Sequence, residues 1–318
     1  MLIDLILMTL GIVLLIMGSN YFVNGVASIA QILKIPIIVI GLTIVAFATS
    51  APEILVSIVA ALNNESNLAV GNAIGSNTAN IGLVLGLMAS IKPISIDSKI
   101  HKKLMILLLL VSLSMIFPFW NNEISLFEGR LILLAFLLVM SWLISFSLKI
   151  HSEGDEASEL SDSDYNIYSA PKAVLMLIIG LIVLTFGANL VVENAIKIAE
   201  TLGVSQTIIG ITLVAIGTSL PELSVSITSA IKGEYGLAIG NIIGSNIFNL
   251  LAVVGIATSI KEAVLPNNIL SVHLMVMLIL TLMIFIVTFR RNNTIKRYEG
   301  FGLLSMFCFY LTYIILQS

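Results

Sequence analysis

Residues 41–86 read GLTIVAFATSAPEILVSIVAALNNESNLAVGNAIGSNTANIGLVLG, and residues 210–255 read GITLVAIGTSLPELSVSITSAIKGEYGLAIGNIIGSNIFNLLAVVG. Set side by side without a gap, the two stretches agree at 24 of 46 positions, at a constant offset of 169 residues. The chain is therefore two fused half-proteins. Each copy places one carboxylate, Glu53 or Glu222, inside an otherwise apolar segment. Ionisable groups at membrane depth are costly and mark ion or substrate pathways, so the duplicated pair points to one shared cation site.

Working outward, 318 residues that are 58% hydrophobic and 10% charged, with a mean hydropathy of +1.09, exclude a soluble domain of this size. Crossing ~30 Å of hydrocarbon takes about 20 helical residues. Ten such runs are predicted, at about 2–24, 36–62, 68–91, 104–120, 126–148, 173–198, 206–231, 237–260, 269–289 and 301–316. The expected fold class is an all-α polytopic membrane protein: a first five-helix repeat over 1–150, an acidic linker over 151–170 and a second five-helix repeat over 171–318. Because five is odd, the second repeat enters the bilayer from the opposite side, which makes the repeats inverted.

The first run has no basic residue before it, since the first in the chain is Lys34, and it reads as a helix rather than a cleaved leader. Connections after helices 1, 3, 5, 7 and 9 hold twelve of the 15 Lys and Arg, and the other side holds Arg130, Lys197 and Lys261. Basic residues favour the cytoplasmic side, so both termini are expected outside the cytoplasm in the cell membrane. The linker acids, Glu153, Asp155, Glu156, Glu159, Asp162 and Asp164, lack the ligand spacing of a calcium loop and read as a solvated tether. Cys308, the single cysteine, reads as packing.

The chemistry sits in two motifs. Thr49, Ser50, Ala51, Pro52 and Glu53 recur as Thr218, Ser219, Leu220, Pro221 and Glu222. A helix-interior proline cannot donate to the carbonyl four residues back, so carbonyls near Ala48 and Thr49, and near Gly217 and Thr218, are expected to be freed. Broken helices of this kind offer backbone oxygens to ions in inverted-repeat transporters. Helical spacing places Thr49 and Ser50 on the face of Glu53, and Ala46 and Ala215 offer carbonyls one turn back. In the next helix Asn72, Ser76 and Asn80 form one stripe, matched by Asn241, Ser245 and Asn249; Gly71, Gly75, Gly240 and Gly244 read as close helix packing. All these donors are oxygens, which suits hard cations such as calcium or several sodium ions rather than zinc or copper. His101, His151 and His273 fall in or near connections.

These motifs resemble those of the calcium/cation antiporter superfamily, and specifically of the sodium/calcium exchangers, whose repeats carry G-T-S-x-P-E and G-N-x-x-G-S-N. The ten-helix layout is similar to the prokaryotic members. The resemblance implies that Glu53 and Glu222 are central ligands, that Thr49, Thr218, Ser50, Ser219, Ser76 and Ser245 build flanking sodium sites, and that Asn80 and Asn249 complete the inner shell. Two positions depart from the pattern. Ala48 replaces a glycine, and Asn249 stands where some prokaryotic and potassium-dependent relatives carry Asp, which leaves potassium co-transport outside what the resemblance implies.

The expected function is antiport of sodium against calcium by alternating access. A proton/calcium antiporter of the same fold is the alternative, and a passive cation channel is the alternative from another class. Channels of that kind use symmetric oligomers and a continuous filter, whereas an internal inverted repeat suits two-sided access. No nucleophile and base arrangement suggests an enzyme. The expected partners are calcium and sodium ions and the lipid bilayer, with no cofactor, no nucleic acid and a functional monomer.

Overall fold

The structure is a computed structural model that describes residues 1–96, 99–153, 168–204, 215–266, 269–290 and 294–317. The predicted linker falls largely outside these residues, and so does the first part of the predicted seventh helix.

Ten helical segments follow one another: α1 (Leu2–Leu33), α2 (Ile37–Thr49 and Ala51–Leu62), α3 (Ser66–Ile91), α4 (Lys99–Ser114), α5 (Leu126–Glu153), α6 (Ala170–Thr201), α7 (Ala215–Thr218 and Leu220–Ile231), α8 (Tyr235–Ile260), α9 (Ile269–Leu274 and Met275–Thr288) and α10 (Arg297–Gln317). Among the described residues six of these are long and apolar enough to cross a membrane unaided, and the two pieces of α2, bent by 43°, are so when taken together. In hydrocarbon each backbone N–H and C=O must be satisfied within the protein, which is why these apolar runs are helices. Their outer faces show Leu110, Phe186, Leu138 and Phe309 to the surroundings.

The inversion is visible in the packing. Helices α1 and α6 lie side by side, with Gly11 against Gly187, Gly18 against Gly180 and Gly25 against Ala173. Numbers rise along one helix as they fall along the other, so the pair is antiparallel. Gly11 and Gly18 are also the repeat equivalents of Gly180 and Gly187, so the pairing maps onto itself when the halves are exchanged. A Cβ built on Gly180 would stand 2.4 Å from the Phe22 nitrogen, so only glycine lets the backbones meet there.

Two short antiparallel ribbons carry the same message. Strand β1 (Ile94–Ser95) pairs with β4 (Thr294–Ile295), and β2 (Glu123–Ile124) pairs with β3 (Ala263–Val264). Helices α4 and α9 each run from one ribbon to the other, so the ribbons cap opposite ends of the bundle. Strands β1 and β3 are repeat equivalents yet sit in different ribbons, so the repeat operation exchanges the two sides. Local backbone agrees: left-handed residues occur at Lys34 (φ 54) and Gly203 (φ 79), and again at Asn64 (φ 64) and Gly233 (φ 84), each pair 169 apart. The same turn forms whether or not glycine occupies it.

The centre of the bundle holds α2, α3, α7 and α8. The apolar window of α8 is buried throughout. Helix α5 packs on the end of α8, and α10 packs equivalently on the end of α3.

Several boundaries differ from the sequence reading. Helix α1 extends to Leu33 rather than about 24. Helix α4 starts at Lys99 and stops at Ser114, because the hydrophobic run that follows to Trp120 folds as successive turns. His101 is therefore a buried residue of α4 rather than part of a connection, and His273 lies on α9 with its Nδ1 2.7 Å from the Tyr310 hydroxyl. Cys308 is exposed on α10 instead of packed.

Candidate functional site

The breaks in α2 and α7 are the starting point. Ser50 has φ −86 and ψ 3, and Ser219 has φ −86 and ψ 4, so the duplicated motif folds alike in both halves. Pro52 and Pro221 occupy the first turn of the helix that follows each break, where an amide N–H has no helical acceptor. This refines the expectation of one proline-kinked helix. Thr49 and Ser50 belong to the end of one helical piece and the break, Glu53 to the start of the next, and the three do not share one continuous helical face. Ser50 Oγ donates across the repeats to Glu222 Oε1 at 3.3 Å.

Glu53 and Glu222 are buried to 0% and 1% exposure. Neither forms an ion pair among the described residues. Both carboxylate oxygens of Glu53 and Oε2 of Glu222 have no hydrogen-bond partner there. The segment carrying Glu222 packs on the part of α3 that begins at Asn80, and the segment carrying Glu53 packs on the equivalent part of α8 that holds Asn249. Those parts, Asn80–Leu85 and Phe248–Val253, are π-helical. Such widened turns collect at functional sites, and here they contain Asn80 and Asn249.

Around the glutamates the predicted donors are sealed from outside. Thr49, Ser50, Ser76, Ser245, Asn80, Asn249, Ser219 and Ala46 are buried. Among the described residues the Ser76 and Ser219 hydroxyls, Asn80 Oδ1 and both amide atoms of Asn249 lack partners. Thr49 Oγ1 lies 3.1 Å from Asn241 Oδ1, 3.4 Å from the Ala46 carbonyl and 3.5 Å from Ser245 Oγ. Thr218 is half-buried, and the piece of α7 that it ends, opened by Ala215, packs on α3.

Sequence reasoning left Asn77, Asn246 and Ser226 without a role and gave Asn241 only a place in the stripe. Asn77 Nδ2 donates to the Asn246 carbonyl at 3.0 Å, and Asn80 Nδ2 donates to Asn246 Oδ1 at 3.2 Å, tying α3 to α8. Asn241 Nδ2 donates to Ser226 Oγ at 3.0 Å. Ser226 and its equivalent Ser57 had a legible signal, since each is identical in both repeats and falls one helical turn after the glutamate.

A Cβ on Gly240 would stand 2.4 Å from the Ile38 carbonyl oxygen, and one on Gly244 would stand 2.5 Å from Leu42 O, so both let α8 press on α2. A Cβ on Gly71 would meet nothing within 4 Å among the described residues. The packing reading holds for Gly240 and Gly244; the equivalents of Ile38 and Leu42 opposite Gly71 and Gly75 lie outside the described residues.

Inverted five-helix repeats with paired broken helices, meeting around buried carboxylates and amides, define a membrane transporter of the inverted-repeat class. Comparison with known proteins narrows the class. The family described as "Sodium/calcium exchanger protein" matches residues 3–145 and 172–316. A protein of Alkalimonas amylolytica named CaxA is 39% identical over the whole of both chains. The sodium/calcium exchanger MaX1 of Methanosarcina acetivorans is 33% identical over 98% of each chain. A solved structure of the sodium-calcium exchanger NCX_Mj, soaked with sodium and strontium, superimposes with a TM-score of 0.83 at 33% identity, covering 98% of each chain. This chain belongs to the sodium/calcium exchanger family.

Proposed function

We propose that this chain moves calcium out of the cell against inward sodium, one antiporter molecule acting as a monomer in the cell membrane with both termini outside the cytoplasm. The observation that carries the reading is the set of buried oxygens without partners on Glu53, Glu222, Ser76, Ser219, Asn80 and Asn249. A buried carboxylate without a counter-charge is costly, and among the described residues no Lys or Arg supplies one. A desolvated cation does. Hard ions with six to eight oxygen ligands match carboxylate, amide, hydroxyl and carbonyl donors.

Glu53 and Glu222 would bind calcium directly, with Asn80 and Asn249 beside them. Thr49, Thr218, Ser50, Ser219, Ser76 and Ser245, with the Ala46 and Ala215 carbonyls, would build the flanking sodium positions. Two carboxylates neutralise one divalent ion or two monovalent ones, so the ions compete for the same charge, and competition at one site exposed alternately to each side is what exchange requires. The halves would be the repeats over 1–150 and 171–318, joined by the acidic tether.

Glu53→Gln and Glu222→Gln test the site. Each removes half its charge while keeping its shape. Both should abolish sodium-driven uptake of radioactive calcium into proteoliposomes while the purified protein stays monodisperse. Near-normal flux in either variant overturns the assignment.

A further inference from the structure

Asn246 of α8 is fully buried, and its side chain makes one hydrogen bond: Oδ1 accepts from Asn80 Nδ2 of α3 at 3.2 Å. Its own Nδ2 has no partner among the described residues. A buried donor left unpaired is costly, and an apolar side chain of the same shape would avoid that cost. The amide of Asn246 therefore acts through Asn80 rather than through stability. Asn80 opens the π-helical turn of α3 on which the Glu222 segment packs. A carboxamide carries its NH2 and its oxygen on opposite edges. With Nδ2 fixed on α8, Asn80 Oδ1 is turned to the other edge, where it is buried and has no partner.

The repeat supplies an internal comparison. Asn249 is the equivalent of Asn80, and Asn77 is the equivalent of Asn246; all four are buried. Asn77, however, uses its Nδ2 to donate to the Asn246 backbone carbonyl at 3.0 Å. Its Oδ1, the atom that would hold Asn249 Nδ2, has no partner, and neither amide atom of Asn249 has one. Equivalent position and spacing do not orient the amide by themselves. The acceptor on Asn246 does.

We infer that Asn246 is a positioning residue of the ion site: by holding Asn80 Nδ2 it keeps Asn80 Oδ1 free for the cation. A carboxamide turned over by half a rotation presents its NH2, which repels a cation and supplies no ligand. Asn80 is preset by the bond to Asn246, so ordering it adds nothing to the cost of binding, whereas Asn249 has to be turned by the ion itself. Asn246 itself need not touch the ion. Because the bond runs from α8 to α3, a ligand of the first repeat is aimed by a residue of the second. The inference rests on the proposed role of Asn80 as an inner ligand for calcium.

The test is equilibrium binding of radioactive calcium to the purified full chain without sodium, in the parent, Asn246→Ala, Asn80→Ser and the double variant. Asn246→Ala removes the acceptor but keeps the backbone carbonyl that Asn77 bonds. Asn80→Ser keeps an oxygen but has no amide to aim. A neutral buried hydrogen bond shifts an equilibrium about fivefold. Asn246→Ala should weaken calcium binding by about that factor in the parent and cause no further loss in Asn80→Ser. A residue that supports only the fold weakens binding by the same factor in both backgrounds. Equal factors in the two backgrounds, or parent-like binding in Asn246→Ala, overturn the inference. Should Asn246→Ala fail to purify as a monodisperse protein, Asn246→Leu removes the same acceptor while filling its space, and the same outcomes apply. Glu53→Gln is measured alongside. Parent-like calcium binding in Glu53→Gln rejects the calcium site, and the positioning role with it; lost binding there with equal factors for Asn246→Ala rejects the positioning role alone.

Discussion

Ser50 joins local geometry to chemistry. It is the break residue of α2, and its hydroxyl also reaches Glu222 in the other repeat. Its side chain makes no cap bond, so the break does not depend on it. A hydrogen bond to a charged group is worth about 1.5–3 kcal/mol. Ser50→Ala should therefore raise the calcium concentration for half-maximal flux by about tenfold or more, with little change in thermal stability; an unchanged value would remove Ser50 from the cage. At this scale the sequence was informative where one residue type has one meaning in a membrane, as for Glu53 and Glu222. It was silent about the bonds of Asn241, because they depend on Thr49 and Ser226 arriving from two other helices, and no spacing along one helix encodes that.

Among the elements, the antiparallel α1 and α6 pair shows how a glycine stripe fixes a helix contact. A Cβ at Gly180 would stand 2.4 Å from the Phe22 nitrogen, and backbone cannot yield as a side chain can. Overpacking costs about 1–3 kcal/mol. Gly180→Ala should lower the melting temperature of the detergent-purified protein, whereas Gly302→Ala, on a face of α10 with nothing within 4 Å, should not. Equal melting temperatures for both variants would show that α1 and α6 are not held by this contact. The number and order of the helices could be read from hydropathy because each must span the hydrocarbon. Their ends could not be. Apolar residues continue past the end of α4, and polar residues such as Asn20 and Asn24 lie within α1. The two-residue strands were also invisible, being too short for any alternating pattern.

On the scale of the whole molecule, counting helices was enough to predict an inverted repeat, and the ribbons and the Gly11, Gly18, Gly180 and Gly187 contacts express that inversion. The tether belongs to this scale too. Its acids lack calcium-loop spacing, so replacing residues 151–169 with neutral Gly and Ser of equal length should leave calcium affinity at the transport site unchanged; a large loss of affinity, or a lost dependence on cytoplasmic calcium, would make it a regulatory element. Charge accounting in the site bears on coupling. With Asn249 in place of Asp, two carboxylates would serve both ions under this proposal, and a sodium gradient alone should suffice to drive the cycle. The most direct measurement is uptake of radioactive calcium into proteoliposomes of the purified chain, driven in turn by sodium, proton and potassium gradients. Uptake that follows the outward sodium gradient, does not respond to potassium and is lost in Glu53→Gln is the predicted result. Uptake driven by a proton gradient with sodium absent, or calcium leak without any gradient, would contradict it.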